Sequence, residues 1–386
     1  MFGRVLTFLT AVTTAVCGMT ADVYADEAQQ DSAQSVDAQS VYVCEISSSQ
    51  TLYEQNSEQT LPMGHMAKLM TVLICAEELE KGALSLDETV TVSVNANSKQ
   101  GTQIWLEVGE RVSVEDLLKA IIVGNANDAC TALAERLSGD EEAYVQRLNK
   151  RAKRLGMSNT VFADCTGTDL QTVSTAKDIA ILSCEIAKYE NLKVYFTTWI
   201  DNVRGGLTEL VSTNRLIRTY KGILGMKACA SSESGECISA CVKRGNLGIC
   251  VVLLGCSDSE GKIDAAESLL DESFESYSYF LPEIDKSYLE PIKVTGGRKL
   301  SVKVEAENLS GAVIDAGGEE AIELEADIKD SVEAPVSKGD VLGKITCKNS
   351  DETLITVNIV AAENVQTMNF GYALKSCLLN LLNCNH

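Results

Sequence analysis

The spacing of apolar residues changes several times along the chain, and each change marks an element. The stretch 41–59, "VYVCEISSSQTLYEQNSEQ", carries two runs containing Val, Tyr and Leu around a Ser-rich turn, which predicts a β-hairpin. In 61–79, "LPMGHMAKLMTVLICAEEL", the residues Leu69, Met70, Leu73, Ile74 and Leu79 recur near helical spacing, as on a helix buried over most of its surface. The segment 114–139, "VEDLLKAIIVGNANDACTALAERLSG", predicts two helices broken at "GNAND", with Asn127 and Asp128 placed to cap the second. A helix over 141–157 ends at Gly156, and "STAKDIAILSCEIAKY" (174–189) predicts another with Ser174 or Thr175 at its N-cap. Two apolar runs, 235–244 and 246–256, predict core strands joined by a turn at Gly245-Asn246, and a helix over 262–277 follows. Strands at both ends with helices between them give an α/β (α+β) domain over 41–282.

After "FLPEIDKSYLEPIKV" the pattern shifts to short alternating strands, "KLSVKVEAE", "AIELEADI" and "DETLITVNIVA", divided by Gly, Asp and Asn turns. That predicts a small all-β, sandwich-like module over 288–362. The tail, 366–384, predicts an amphipathic helix with Phe370, Leu374, Cys377, Leu378, Leu381 and Leu382 on one face. The run "FGYALKSCLLNLLNCNH", about 17 residues, is too short and too polar to span a bilayer, and it fits an anchor lying on a membrane surface. At the other end, 1–25 combines Arg4, the apolar run "VLTFLTAVTTAVCGM" and "DVYA", the layout of a signal peptide cut after Ala25. The polar stretch 26–40 then reads as a flexible leader.

Composition narrows the function classes. A chain of 386 residues, 45% hydrophobic, can bury the cores of two domains. Its net charge of −22, with no Lys/Arg cluster, repels phosphate backbones and excludes nucleic acid as a partner. Fourteen cysteines in an exported chain suggest disulfides, but a core this large needs none, and loss of Cys17 with the signal leaves an odd number. They read as small buried apolar residues kept reduced. No cofactor is expected, and zinc is disfavoured by the lack of CxxC pairs and by only two histidines, His65 and His386.

Taken together, these segments resemble the D-alanyl-D-alanine carboxypeptidases, the low-molecular-weight penicillin-binding proteins that trim peptidoglycan stem peptides. The resemblance rests on "TLYEQN", "KLMTVLICAEEL", "VSVNANSKQGTQIWLEVGERVSVEDLLKAIIVGNANDACTALAE", "NTVFADCTGTD", "STAKDIA", "TNRLIRTYKGILGMK" and "EAPVSKGDVLGK". It implies a β-lactamase/transpeptidase-like domain followed by the small all-β domain and the C-terminal helix. It also implies a site built on three motifs, and all three depart from the family pattern.

The family's SxxK motif sets a nucleophilic Ser one helical turn before an activating Lys. The same register here reads His65-Met66-Ala67-Lys68, so the base candidate remains and the hydroxyl is gone. The SxN motif, whose Ser relays a proton to the leaving amine, reads Asn125-Ala126-Asn127, and an amide cannot shuttle a proton as a hydroxyl can. The KTG motif, which holds the substrate carboxylate, reads Lys227-Ala228-Cys229, and a neighbouring-strand position that commonly carries a basic residue reads Gly248. Ser174 to Lys177 and Ser212 to Asn214 match SxxK and SxN formally, but no KTG follows either.

Nucleophile, relay and clamp act as a unit. The expectation is therefore an exported family member at the extracytoplasmic face of the membrane or the cell wall. It would act in peptidoglycan metabolism without hydrolysis, as a wall-binding or scaffolding protein with the stem peptide as candidate ligand. Two alternatives stay open: an active serine-type carboxypeptidase resting on Lys68, Asn127 and Lys227, and an exported interaction protein with no cleft ligand.

Overall fold

A short N-terminal hairpin and three longer strands from the end of the domain build one antiparallel sheet. In a computed structural model of the chain, which describes residues 36–374 other than 308 and 351, strands β1 (Ser40–Glu45) and β2 (Thr51–Gln55) form the predicted hairpin. Strands β3 (Ile223–Ser231), β4 (Gly235–Arg244) and β5 (Leu247–Cys256) complete the sheet in the order β2-β1-β5-β4-β3. The predicted signal peptide, most of the leader and the tail beyond residue 374 lie outside the described residues.

The period-two alternation of strands sends neighbouring residues to opposite faces. Val41, Val43, Ile238, Ala240, Ile249, Val251 and Leu253 form one core, against helix α6 (Ser259–Ser276) through Ala266 and Leu270. Tyr42, Cys44, Cys237, Cys241, Cys250, Val252 and Leu254 form the other, against the helical layer. β5 is almost wholly buried because it is covered on both sides, which is why it reads as a continuous apolar run.

The helical layer occupies the chain between β2 and β3. A single 3-10 turn, Gly64–Ala67, leads into α1 (Lys68–Glu80), whose residues from Lys68 to Ala76 are all buried. Helices α2 (Val114–Ile122), α3 (Asn127–Ser138), α4 (Glu141–Leu155) and α5 (Ala176–Ile186) surround it. The Asp140 side chain caps α4 by accepting from Ala143 N at 2.8 Å, and α4 stops at Gly156 as its sequence predicts. On α5 the cap is Thr175, whose hydroxyl accepts from Asp178 N at 3.1 Å. Ser174 instead pairs with Leu61 in a two-residue ladder, and its hydroxyl meets Thr160 Oγ1 at 2.7 Å.

The remainder is all-β apart from short helical turns. A four-stranded sheet runs Val304–Glu307, Glu352–Ala361, Val341–Asn349, Ile322–Ile328 and packs Ile345 and Ile359 against Ile292, Val294 and Val302 of a three-stranded sheet. A short helix spans 370–374, with Phe370 and Leu374 exposed. No helix among the described residues is long and apolar enough to cross a membrane.

Candidate active site

The head of α1 is held from two sides. Gly64 lies against the turn after β3: a Cβ built on it would stand 2.9 Å from Ser234 Oγ and 3.8 Å from Cys229 Sγ. On the other side, Asp164 organises the loop 164–172 by accepting from Gly167 N at 3.1 Å, Thr168 N at 3.0 Å and Thr172 Oγ1 at 2.6 Å. Burial pushes its carboxyl up, but the bonds from Thr166, Thr172 and Thr168 outweigh it and hold the group below the usual carboxylate range. Gly167 has φ +79°, and a Cβ there would come within 1.8 Å of Gly64 O, so only glycine lets the loop close onto the helix head.

That closure fixes Lys68. Its amine is fully buried and donates to Thr166 O at 2.8 Å. Burial lowers its pKa to about 8, against an opposing pull from Cys130, Cys165, Cys229 and Asp164. His65, partly buried one turn earlier, makes no side-chain hydrogen bond with any described residue. Burial first, then the charges of Lys68 and Lys227, lower its pKa to about 3, so the imidazole is neutral at any ordinary pH.

The two asparagines face different partners. Asn125, at φ +57°, donates from Nδ2 to Thr213 Oγ1 at 3.1 Å and to Ala228 O at 3.3 Å. Asn127 donates from Nδ2 to Gln100 O at 2.6 Å. Each is buried and leaves its Oδ1 without a partner among the described residues. Neither Asn127 nor Asp128 caps α3, contrary to the sequence reading: the N-cap is Ala126, with no side-chain bond. Asp128 instead accepts from Ile104 N and Leu106 N, at 3.1 and 3.0 Å. Arg204 holds the same loop through Ile104 O at 2.8 Å, itself braced by a two-pronged pair with Glu110. The backbone amides of this loop thus share the carboxylate with the first turn of α3, whose Ala129 N donates to Asp128 Oδ1 at 2.8 Å.

On β3, Lys227 turns toward the helices and donates to Ile121 O and Ile122 O at 2.7 and 3.3 Å, closing the C-terminus of α2. Burial, with repulsion from Lys68, lowers its pKa to about 7. Cys229 faces the same way, directly opposite Cys237 of β4, and that neighbour together with Lys227, Lys262 and Lys68 holds its thiol below the ordinary range. Ala228 points to the opposite face and packs in the α6 core, so its methyl does not reach the cleft and only its carbonyl takes part. Gly248 is a correction. It pairs with Lys243 near the start of β5, two strands inward from β3, and a Cβ there would meet Ile46.

The structure therefore gathers His65, Lys68, Asn125, Lys227 and Cys229, sets Asn127 at the edge, and removes Gly248. A cavity of about 270 Å³ opens beside them, lined by His65, Gly167, Thr168, Ser231 and Glu233 among others. Its lining includes the acids Asp169 and Glu233 and no Lys or Arg. Sequence reasoning missed Asp164, Gly167 and Thr213; the run "ADCTGTD" with its glycine between two threonines was the available signal.

The family model for D-alanyl-D-alanine carboxypeptidase matches residues 27–258, and the model for the penicillin-binding protein 5 C-terminal domain matches 283–367. The chain is 33% identical to the D-alanyl-D-alanine carboxypeptidase DacF of Bacillus subtilis over 346 residues, which cover 88% of each. Penicillin binding protein 5 from Haemophilus influenzae superposes with a TM-score of 0.76 at 24% identity, covering 86% of this chain and 98% of that one. A peptidoglycan synthesis regulatory factor from Streptococcus pneumoniae superposes at 0.71 and 20% identity, covering 86% and 100%. The two solved structures show a shared fold.

Proposed function

The chain belongs to the D-alanyl-D-alanine carboxypeptidase family, and from that premise we propose that it binds peptidoglycan stem peptides without hydrolysing them. In this reading it is a wall-binding or scaffolding protein, exported to the outer face of the cytoplasmic membrane or the wall. One observation carries it: the nucleophile's place holds a neutral imidazole, while the amine that would activate a hydroxyl donates to Thr166 O. An imidazole nitrogen stands farther from the backbone than a serine Oγ, and a misplacement of about 1 Å can cost on the order of 10²-fold in rate. The buried Oδ1 atoms of Asn125 and Asn127, unpaired among the described residues, support a retained ligand, since buried acceptors are ordinarily satisfied.

Calorimetry with a D-Ala-D-Ala pentapeptide, run beside an assay for released D-alanine, tests the proposal. Saturable binding with no release is the expected result. Release at family-like rates would establish the alternative of a working carboxypeptidase, which Lys68 favours because its lowered pKa suits a general base. Absence of binding would leave an interaction protein with no cleft ligand. The tail reading belongs to the same proposal: a chain ending at residue 365 should leave the membrane fraction, and equal association with and without the tail would reject the anchor.

A further inference from the structure

Four thiols meet outside the cleft, in an arrangement that no spacing in the sequence announces. Strand pairing sets Cys44 of β1 opposite Cys250 of β5, and Cys250 opposite Cys241 of β4. Alternation turns all three toward the helical layer, where α5 brings Cys184 onto the row. Cys44 Sγ and Cys184 Sγ are 3.8 Å apart, and the sulfurs of Cys44, Cys184 and Cys250 all lie within 4.8 Å of one another. Zinc–thiolate bonds of about 2.3 Å at tetrahedral angles place sulfurs about 3.8 Å apart, so the three already stand near coordination distance. Every one is buried, among Tyr42, Val252 and Leu254, where an aliphatic side chain would serve packing alone equally well.

We propose that Cys44, Cys184 and Cys250 form a structural site for a thiophilic closed-shell cation, with Cys241 completing four ligands by a turn of its side chain. Zinc and cuprous ions share the required chemistry: soft sulfur ligands, no geometric demand beyond what three strands and a helix supply, and no water needed at the metal. Binding exchanges thiol protons for the ion, with each proton released to solvent, and involves no oxidant. The ion would tie the middle of the sheet to α5. The proposal runs against the expectation from sequence that zinc is disfavoured, because the ligands converge through strand register rather than through a CxxC spacing.

The test is the metal content of the full-length protein, purified anaerobically from zinc-rich and from copper-rich cultures. About one ion per chain is expected, and which metal is retained identifies the cation. Cobalt replacement should give a sulfur-to-metal charge-transfer band. Cys184→Ala and Cys250→Ala should each lose the ion, whereas Cys347→Ala, a buried thiol of the C-terminal part, should keep it. Metal-free protein after refolding with either ion would overturn the site, as would full retention by both cluster variants or a native disulfide between Cys44 and Cys184. Should the cluster variants fail to fold, the content of the wild type and of Cys347→Ala still decides.

Discussion

The loop organised by Asp164 and the row of motif residues beside it share one wall of the cleft but differ in how their polar atoms are used. Asp164 collects three threonine hydroxyls and several backbone amides, and Asp128 and Arg204 do similar service for the loop 104–106. At the motif positions the Oδ1 atoms of Asn125 and Asn127 lack partners among the described residues, as does the imidazole of His65, while Lys68 and Lys227 donate to loop and helix carbonyls. In the proposed reading, the framework that positions a reacting group is kept while the groups at the motif positions do not supply a nucleophile, relay and clamp. Such a pairing suits recognition better than turnover, because recognition needs the shape and the acceptors but not the hydroxyls.

Breaking the framework should have the largest effect. Gly167→Ala puts a Cβ against Gly64 O in a backbone conformation that alanine avoids, and should cost on the order of 3 kcal/mol, read from urea unfolding midpoints. An unchanged midpoint would mean that the loop does not clamp the helix head.

Repairing one motif residue should sharpen the contrast. His65→Ser restores a hydroxyl next to Lys68 but leaves Asn125 and Cys229, so D-alanine release should stay at least about 10²-fold below that of an active relative. Near-family turnover from this single change would assign the whole loss to position 65.

The buried lysines give a pH signature. Lys68 and Lys227 titrate at about 8 and about 7 when folded, against 10.5 ordinarily, so at neutral pH the unfolded chain holds protons that the folded chain resists. Each therefore weakens the fold near pH 7, and that cost fades as pH rises toward 10.5. The stability difference between Lys68→Met and wild type should shift in the wild type's favour by roughly 2 kcal/mol from pH 7 to pH 10. A difference that is flat with pH would show Lys68 to be freely hydrated.

The smallest effect concerns space. Cys229→Gly removes the sulfur that stands close to Gly64 and should improve pentapeptide affinity by a few-fold, about 1 kcal/mol, without creating turnover. Unchanged or weaker binding by calorimetry would reject the idea that Cys229 narrows the cleft.

Much of the fold was legible because burial imposes period: β5 reads as a continuous apolar run since both faces are covered, and α4 carries its stop at Gly156. The motif register was legible too, and His65, Lys68, Lys227 and Cys229 do converge. Their partners were not, since Thr166 O and Ile121 O are backbone atoms brought in by tertiary closure, and any residue can supply a carbonyl. Gly248 was misplaced for a related reason: nothing in "LGICVV" tells which strand lies beside β3, and the ladder puts it opposite Lys243. Asp128 looked like a cap because acids favour helix starts; its carboxylate does take Ala129 N of the first turn, but Ala126 holds the N-cap position and the amides of Ile104 and Leu106 share the same carboxylate.

The central claim is that position 65 no longer carries an acyl-accepting group. Intact-protein mass spectrometry after incubation with penicillin reads this directly, because a competent nucleophile in this family is acylated and retains the drug's mass. The account predicts an unmodified protein even at saturating drug. A stoichiometric penicilloyl adduct mapped to His65 would contradict it.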